Sequence, residues 1–395
     1  MEQNKHKVHK GNGNTPDTPV RKIGNLLVSI WHGPRHVTIL NGELLDQADP
    51  PYVVLCNHEA FTDFFYLDLL LNKAKPAYVV NEYYCTRPVA GSFLIHIGTI
   101  PKKLFKLEMS TPVRIMKTLS KGYPVVIYPE GRLSPDGRTN NIPVIGAGFY
   151  RRLGVDLVLL RCNGAYYSYP KWRKRRYRTP IELEVRKVIK KDELASMSND
   201  ELEEIILSSI SNDADRKLMC RYPQKDKAEG LHDILYQCPE CKALYKMKTK
   251  GNTISCSSCG RSYTLNDEYR FDGYPGTISG WYDLIKDNER KDIRKLDIST
   301  DVRTVIYGSD GKVRRKEEGI CRLTFDEFTY ESGGSGIRIA MNELYALPFS
   351  CGKEFETYID DDLYYFYPVS DPCQVARWGL LVDIINEVRA EERRT

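Results

Sequence analysis

Residues 52–65 read YVVLCNHEAFTDFF, and this stretch decides the fold expected for the first half of the chain. Its first five residues form an uninterrupted apolar run, typical of a strand that is covered on both faces of a sheet. Helical patterns, such as those at 64–71 and 112–119, separate it from later strand-like runs. Those runs lie at 125–128, 157–160 and 181–188. The alternation predicts an α/β layer domain over residues 21–212, ending in a helix at 199–209.

Length and composition limit the class of protein. The chain has 395 residues, 41% of them hydrophobic and 11% aromatic, so it can bury sizeable cores and is not wholly disordered. No apolar run approaches the ~20 residues that a spanning helix needs. Residues 1–20 have no apolar centre and are interpreted as a disordered polar tail, not a signal peptide. The 11 cysteines are therefore expected in a reducing compartment, as ligands or core residues.

Composition divides the rest of the chain into four regions. A polar linker is expected at 213–230, a cysteine-rich ribbon at 231–268 and a connector at 269–300. Residues 301–395 show short strand patterns followed by one amphipathic helix. This last region faintly resembles a pleckstrin-homology-like (PH-like) or GRAM-like domain, an architectural similarity that implies no ligand.

His58 follows the predicted strand at 52–56, and ligands bind at the carboxyl ends of strands in open α/β sheets. Residues five apart on one helix point ~140° away from each other. His58 and Asp63 can therefore meet only if His58 precedes a helix whose first turn contains Asp63, with Thr62 as N-cap. In that geometry Asp63 would fix the imidazole tautomer while the ring takes a proton from a substrate hydroxyl. The alternative is a loop histidine beside a helix-capping aspartate.

A second polar loop, PEGRLSPDGR at 129–138, follows the predicted strand at 125–128. Gly131 permits close backbone approach to a ligand, and Glu130 can hold a basic group or bond a hydroxyl. Arg132 and Arg138 can donate charge-assisted hydrogen bonds to phosphate. The alternative is an ordinary surface turn, but two strands that deliver polar loops to one sheet edge favour a site.

The segments NHEAFTD (57–63) and YPEGRLS (128–134) together resemble the glycerolipid acyltransferase family, which includes 1-acylglycerol-3-phosphate acyltransferases. The family is marked by His-x4-Asp and a later Phe-Pro-Glu-Gly block, and the resemblance spans residues 25–210, including the segment from Pro143 to Gly148. It implies transfer of a fatty acyl group from acyl-CoA or acyl carrier protein to a hydroxyl of a lysophospholipid. By analogy His58 is the general base and Asp63 its orienting partner.

The resemblance also implies that Glu130, Gly131 and Arg132 bind the acceptor phosphate. Two positions depart from the family pattern. Arg132 comes one position early, and Leu104 stands where the middle motif usually has an arginine. Lys102 and Lys103, with Lys106, are the nearest basic replacements, and an ammonium binds phosphate with less directional control than a guanidinium.

Peripheral contact with a membrane is the hypothesis for reaching the lipid, on the inner face and from the cytoplasm. Residues 171–178 read KWRKRRYR and combine six basic with two aromatic residues. Such a segment suits an anionic membrane surface, although a solvated loop or nucleic-acid contact would have the same composition. Leu26, Leu27, Ile30 and Trp31 form either a short amphipathic anchor or a core-packing helix.

Four cysteines have the spacing of a structural metal site. Cys238 and Cys241 form one Cys-x2-Cys pair, and Cys256 and Cys259 form a second. Two such pairs can present four thiolates to tetrahedral zinc, with Gly260 supplying a left-handed backbone position. A structural zinc ribbon is predicted, with iron in a rubredoxin-like site as the alternative.

The leading hypothesis is therefore an O-acyltransferase with a zinc ribbon and a β-rich accessory domain. The alternative from another class is a catalytically inactive acyltransferase-fold scaffold that binds partners or lipid through the ribbon and the C-terminal domain. Nucleic-acid binding ranks last because it explains neither the His58/Asp63 pair nor Glu130, so no nucleic-acid partner is expected.

Overall fold

The computed structural model describes Pro16 and residues 36–87, 90–106, 108–142, 146–273 and 275–393. The expected anchor residues 26–31, the residue Pro143 and all of the expected polar tail except Pro16 lie outside these ranges. The described residues form three sheets, of seven, three and seven strands.

The first sheet is mostly parallel. Its strands are β1 (Val37–Leu40), β2 (Tyr52–Cys56), β3 (Ala77–Asn81), β4 (Ile100–Lys102), β5 (Val125–Ile127), β6 (Asp156–Asn163) and β7 (Ile181–Ile189). They lie in the order β1-β7-β6-β2-β5-β3-β4, and only the β6–β7 pair is antiparallel. All four strands expected from apolar patterns are present.

Helices cover both faces of this sheet. They are α1 (Asp63–Leu71), α2 (Glu82–Cys85), α3 (Ala90–His96), α4 (Ser110–Leu119), α5 (Ala147–Arg152), α6 (Ala165–Ser168), α7 (Lys191–Ser196) and α8 (Asn199–Ile210), with a 3-10 helix at Gly42–Gln47. Alternate residues of β2 enter two different cores. Val53 and Leu55 belong to one and Val54 and Cys56 to the other, as the two-residue period of a strand requires. The α/β layer prediction is confirmed.

The remaining residues form the ribbon and a large antiparallel sheet. The ribbon has β8 (Met247–Lys250), β9 (Thr253–Cys256) and β10 (Ser262–Thr264). The large sheet has β11 (Asp297–Tyr307), β12 (Val313–Thr324), β13 (Glu327–Ser332), β14 (Ser335–Ala340), β15 (Phe349–Ser350), β16 (Glu354–Ile359) and β17 (Asp362–Pro368). The helices are α9 (Ile278–Lys291) and α10 (Gln374–Glu392), with 3-10 helices at Leu231–Asp233 and Ile293–Lys295. The closing helix α10 buries Trp378 and Leu381 against the sheet, so a β-rich C-terminal region closed by one helix is confirmed.

The segment expected as a linker packs into the core. Tyr222 and Ala228 are fully buried and share one hydrophobic core with Cys256, Trp281 and Trp378. The segment expected as a connector contains α9 and the first residues of β11. Polar composition concealed the burial of the linker segment, because its buried side chains are few. In the connector segment, Ile278, Trp281, Tyr282 and Ile285 are buried at helical spacing, and sequence reasoning missed this pattern. Among the described residues, no helix is both long and apolar enough to cross a membrane.

Candidate active site

His58 and Asp63 form a hydrogen-bonded pair at the carboxyl edge of the first sheet. His58 lies in the loop after β2, and Asp63 is the first residue of α1, as the spacing argument requires. His58 Nδ1 lies 2.9 Å from Asp63 Oδ2. The Asp63 side chain is fully buried, whereas 21% of the His58 side chain is exposed. The geometry assigns the Nδ1 proton to the Asp63 contact and leaves Nε2 as the nitrogen that can take a proton.

The loop itself orients Asp63. Oδ2 also accepts hydrogen bonds from the backbone N–H groups of Glu59 and Ala60, at 2.7 and 3.0 Å. The expectation that Thr62 caps α1 through its side chain is wrong. Its hydroxyl donates to the Tyr66 hydroxyl instead, at 3.3 Å, and accepts no hydrogen bond from the helix backbone. Two backbone donors and the imidazole therefore fix the position of the Asp63 carboxylate.

Neighbouring strands support the His58 loop from both sides. The Tyr128 ring, directly after β5, stacks on the imidazole at a centroid distance of 4.1 Å. Asn57 ties the loop to β6, because its side chain exchanges hydrogen bonds of 2.8 and 2.7 Å with the backbone of Cys162. The imidazole plane is therefore fixed by packing as well as by Asp63.

Glu130 holds the loop that contains the catalytic candidate. Its Oε1 accepts the His58 backbone N–H at 2.6 Å, and its Oε2 accepts the backbone and side-chain N–H groups of Asn140. Glu130 is fully buried, and burial raises the pKa of its carboxyl to about 7. The structure therefore differs from the expectation that Glu130 contacts the acceptor, since both of its oxygens face protein donors.

A second buried carboxyl lies beside the pair. Glu59 Oε2 accepts the Tyr166 backbone N–H at 2.9 Å, and Oε1 accepts from the Asn212 side chain. Burial, and then the charge of Asp63, raises the pKa of Glu59 to about 8. Glu59 thus links the loop after β2 to Asn212, the second residue beyond α8.

Arg132 and Gly131 meet residues that sequence reasoning did not connect with them. Arg132 Nη2 donates to Asp383 Oδ2 of α10 at 2.8 Å, with 9% of the arginine side chain exposed. Burial lowers the pKa of Arg132, and the charge of Asp383 more than restores it. Gly131 has a left-handed backbone with φ of 65°, and a Cβ there would lie 3.2 Å from the Phe105 ring. A side chain at Gly131 would therefore be strained and crowded.

The three lysines near the middle motif are partly buried. Lys103 Nζ and Lys106 Nζ lie 2.7 and 3.3 Å from Asp361 Oδ1, in the turn between β16 and β17. Lys102 is the last residue of β4, and desolvation lowers the pKa of its ammonium. The basic residues expected to meet an acceptor phosphate thus lie at one sheet edge, but Arg132 and Lys103 are paired with carboxylates of the C-terminal region.

The four cysteines of the ribbon converge on one point. Cys238 Sγ lies 3.7 Å from Cys259 Sγ, Cys241 Sγ lies 3.7 Å from Cys256 Sγ, and all four sulfurs lie within 4.8 Å of one another. These distances are too long for disulfides and match the ~3.8 Å separation of thiolates around tetrahedral zinc with bonds of ~2.3 Å. Gly260 has φ of 75°, as predicted, and Lys242 occupies the same left-handed position after the first pair. The donor set fits a structural zinc ion with no open position.

The basic segment 171–178 is not a continuous exposed patch. Trp172 and Arg173 are only 2% and 4% exposed. Arg173 donates to the backbone carbonyls of Tyr167 and Lys227 and to the Tyr269 hydroxyl, so it holds three chain segments together. Lys174, Arg175 and Arg178 remain exposed. The interface role expected for Trp172 is therefore wrong, because its ring packs in the core.

Three supporting residues were missed by sequence reasoning. Glu59 and Tyr128 each lie within one of the two quoted segments, 57–63 and 128–134, and these positions were the available signal. Asn140 has no such signal, because its role arises from the path of the loop after β5.

Comparison with known proteins identifies the first domain. Residues 36–151 match the family model described as Acyltransferase. The chain is 29% identical over 151 residues to the chloroplastic 1-acyl-sn-glycerol-3-phosphate acyltransferases BAT2 of Brassica napus and LPAT1 of Arabidopsis thaliana. These matches cover 36% of this chain, and 43% and 42% of the relatives, so the chain spans less than half their length.

A solved structure is also similar in part. The 1-acyl-sn-glycerophosphate acyltransferase PlsC of Thermotoga maritima aligns with 48% of this chain and 75% of its own, at 19% identity and a TM-score of 0.41. The family-model match covers the His58 and Glu130 loops described above. Residues 36–151 therefore match the Acyltransferase family model, and part of the chain is similar to glycerolipid acyltransferases.

Proposed function

We propose that the chain is an O-acyltransferase that moves a fatty acyl group from acyl-CoA or acyl carrier protein to a hydroxyl of a lysophospholipid such as 1-acylglycerol-3-phosphate. The observation that carries the proposal is the 2.9 Å contact between His58 Nδ1 and the buried Asp63 at the sheet edge. The names of the two plant relatives support the acceptor class.

The chemistry needs one base and no covalent enzyme intermediate. His58 Nε2 takes the proton of the acceptor hydroxyl as its oxygen attacks the thioester carbonyl carbon. Asp63 accepts a hydrogen bond from Nδ1–H and stabilises the imidazolium that forms. The tetrahedral intermediate collapses with cleavage of the carbon–sulfur bond, and the imidazolium returns its proton to the departing thiolate. The products are the new ester and the free thiol of the donor.

Acceptor binding is assigned to the loops beside this pair. Gly131 keeps the backbone open next to Phe105, and Arg132, Lys102 and Lys103 supply positive charge at the same edge. Glu130 acts as a positioning residue, because it holds the His58 backbone rather than facing solvent.

The accessory regions have structural roles in this proposal. Zinc bound by Cys238, Cys241, Cys256 and Cys259 stabilises the ribbon and takes no part in the reaction. The C-terminal sheet and its closing helix are interpreted as a PH-like or GRAM-like domain. The protein acts at the inner face of a membrane as a peripheral, cytoplasmic enzyme.

Supplying labelled acyl donors with a panel of lysophospholipids tests the proposal. Compared with wild type, His58→Ala should lose about 10²–10⁴-fold in kcat, as removal of a general base predicts. The matched control is His96→Ala, at the end of α3, where the ring contacts, among the described residues, Ser92 of its own helix. Equal transfer by wild type and His58→Ala would exclude His58 as the base. If wild type acylates none of the acceptors, the scaffold alternative replaces the enzyme.

A further inference from the structure

Helix α4 exposes an apolar stripe that nothing in the described structure covers. Met109, Val113 and Met116 are 78%, 52% and 48% exposed. Their spacing of four and three residues places them on one face of the helix. The opposite side of α4 is already in the core, where Ile115 and Leu119 are buried. The helix is thus apolar on two sides, and only one side is needed for folding.

Basic side chains predominate beside the stripe. Residues 109–121 contain three basic residues and no acidic residue, and Glu108, just before them, accepts hydrogen bonds from the Ser110 and Thr111 hydroxyls. At 100° per residue, Lys117 borders the apolar stripe and Arg114 lies about 60° further round the helix, and both are exposed. An exposed apolar stripe bordered by cations is the pattern of a helix that lies in the interface of an anionic membrane.

The position of α4 connects this surface with the candidate active site. Strand β4 is parallel to its neighbour β3, as β5 is to β2, so the chain leaves β4 at the sheet edge where His58 lies. The N-terminal part of α4 is attached there, because Thr111 and Arg114 donate hydrogen bonds to the Pro101 carbonyl at 3.2 and 3.1 Å. Phe61, between His58 and Asp63, is itself 49% exposed. The N-terminal part of α4 thus lies at the same sheet edge as His58, three strands away in the order of the sheet.

We infer that Met109, Val113 and Met116, with Arg114 and Lys117, form the surface by which the protein docks on an anionic lipid bilayer. We call these five residues the α4 surface. The inference deepens the proposed function by naming the partner surface, and it replaces segment 171–178, whose tryptophan is buried, as the principal membrane contact.

Flotation with vesicles of phosphatidylcholine and phosphatidylglycerol tests the inference on the full chain. Changing Met109, Val113 and Met116 together to Ser should lower the partition coefficient about tenfold or more. The matched control changes Val313, Ile320 and Val369 to Ser, because these side chains are 46%, 48% and 61% exposed on the C-terminal region. The control should bind as wild type does. Thermal melts should show that both triple variants remain folded, since all six side chains are at the surface.

A second set of variants tests the contribution of charge to vesicle binding. Arg114→Gln with Lys117→Gln should weaken binding to anionic vesicles by about fivefold per charge and leave binding to pure phosphatidylcholine unchanged. Neutralising Lys174, Arg175 and Arg178 should weaken binding to anionic vesicles less than the double change of Arg114 and Lys117 does. Unchanged binding of the α4 variants, or no binding by wild type, would overturn the inference.

Catalytic assays separate this inference from the proposed function. With a short-chain acceptor below its micellar concentration, the α4 triple variant should retain wild-type kcat, whereas its rate on vesicle-embedded acceptor should fall. If the α4 triple variant loses vesicle binding and wild type transfers no acyl group, the proposed function is wrong and the α4 surface is still supported. If vesicle binding is unchanged and transfer falls only with acyl carrier protein as donor, the surface docks that acidic protein, and the lipid assignment is wrong.

Discussion

The guanidinium of Arg132 donates a 2.8 Å hydrogen bond to Asp383, which joins the loop after β5 to the last helix of the chain. Both side chains are mostly shielded from water, at 9% and 20% exposure. A residue expected to bind an acceptor phosphate is thus already paired with a carboxylate from α10. The C-terminal region therefore belongs to the surroundings of the candidate active site.

Removing one partner of this ion pair should destabilise the protein. Asp383→Asn is expected to lower the free energy of unfolding by about 3 kcal/mol, because it leaves the Arg132 charge buried without its carboxylate. The double variant Arg132→Met with Asp383→Leu should recover much of that loss. Urea unfolding measures both, and Asp360→Asn, in an exposed turn of the same region, is the control. A single variant as stable as wild type would contradict a structural role for the pair.

Asp63→Asn should lower kcat by about 10²–10⁴-fold with little change in KM, because a neutral amide cannot stabilise the imidazolium. Steady-state kinetics with one donor and one acceptor measure the effects on kcat and on KM separately. The control is Asp68→Asn, the same change five residues later on α1, where the carboxylate accepts from the Tyr78 hydroxyl. A loss confined to KM would show that Asp63 acts in binding instead.

The ribbon should carry about one zinc ion per chain. Cys256→Ser should remove the metal and weaken the near-ultraviolet circular dichroism of Trp281, since Tyr263 of β10 packs against that ring at 4.9 Å. Loss of stability should be large, because zinc supplies ~10–16 kcal/mol in small fingers. Elemental analysis measures the metal content of each protein. Cys220→Ser, outside the four-cysteine cluster, is the control. Iron in place of zinc would favour the rubredoxin-like alternative.

Glu59 should make stability depend on pH. The pKa of its carboxyl is about 8 in the folded protein and 4.5 as its ordinary value, so the native state holds this proton more tightly than the unfolded state. The resulting stabilisation is fully present below pH 4.5 and is lost as pH rises towards 8, at about 1.4 kcal/mol per unit of pKa shift. Urea unfolding should show that the free energy of unfolding decreases less between pH 5 and pH 8 for Glu59→Gln than for wild type. Glu204→Gln, at an exposed position, should behave like wild type, and parallel profiles for all three proteins would disprove the assignment.

Local patterns were sufficient to predict four strands of the first sheet and the contact between His58 and Asp63. An apolar run such as 52–56 indicates a buried strand because its side chains must be covered on both faces. The five-residue spacing of His58 and Asp63 allowed a contact only across a loop-to-helix junction, which the structure shows. The cysteine pairs could be predicted equally well, because each Cys-x2-Cys pair lies within four consecutive residues.

Long-range pairing decided the rest. Glu130 turns to His58 and Asn140 because of the path of the loop after β5. The contacts of Asp383 with Arg132 and of Asp361 with Lys103 depend on how the C-terminal region packs against the first domain. Trp172 is buried in the core that it shares with that region. Sequence alone specified which residues can form strands, helices, a base and a metal knuckle, because these properties depend on near neighbours. Only the tertiary structure chose their partners, because charge pairing and burial depend on side chains that lie hundreds of residues apart in the chain.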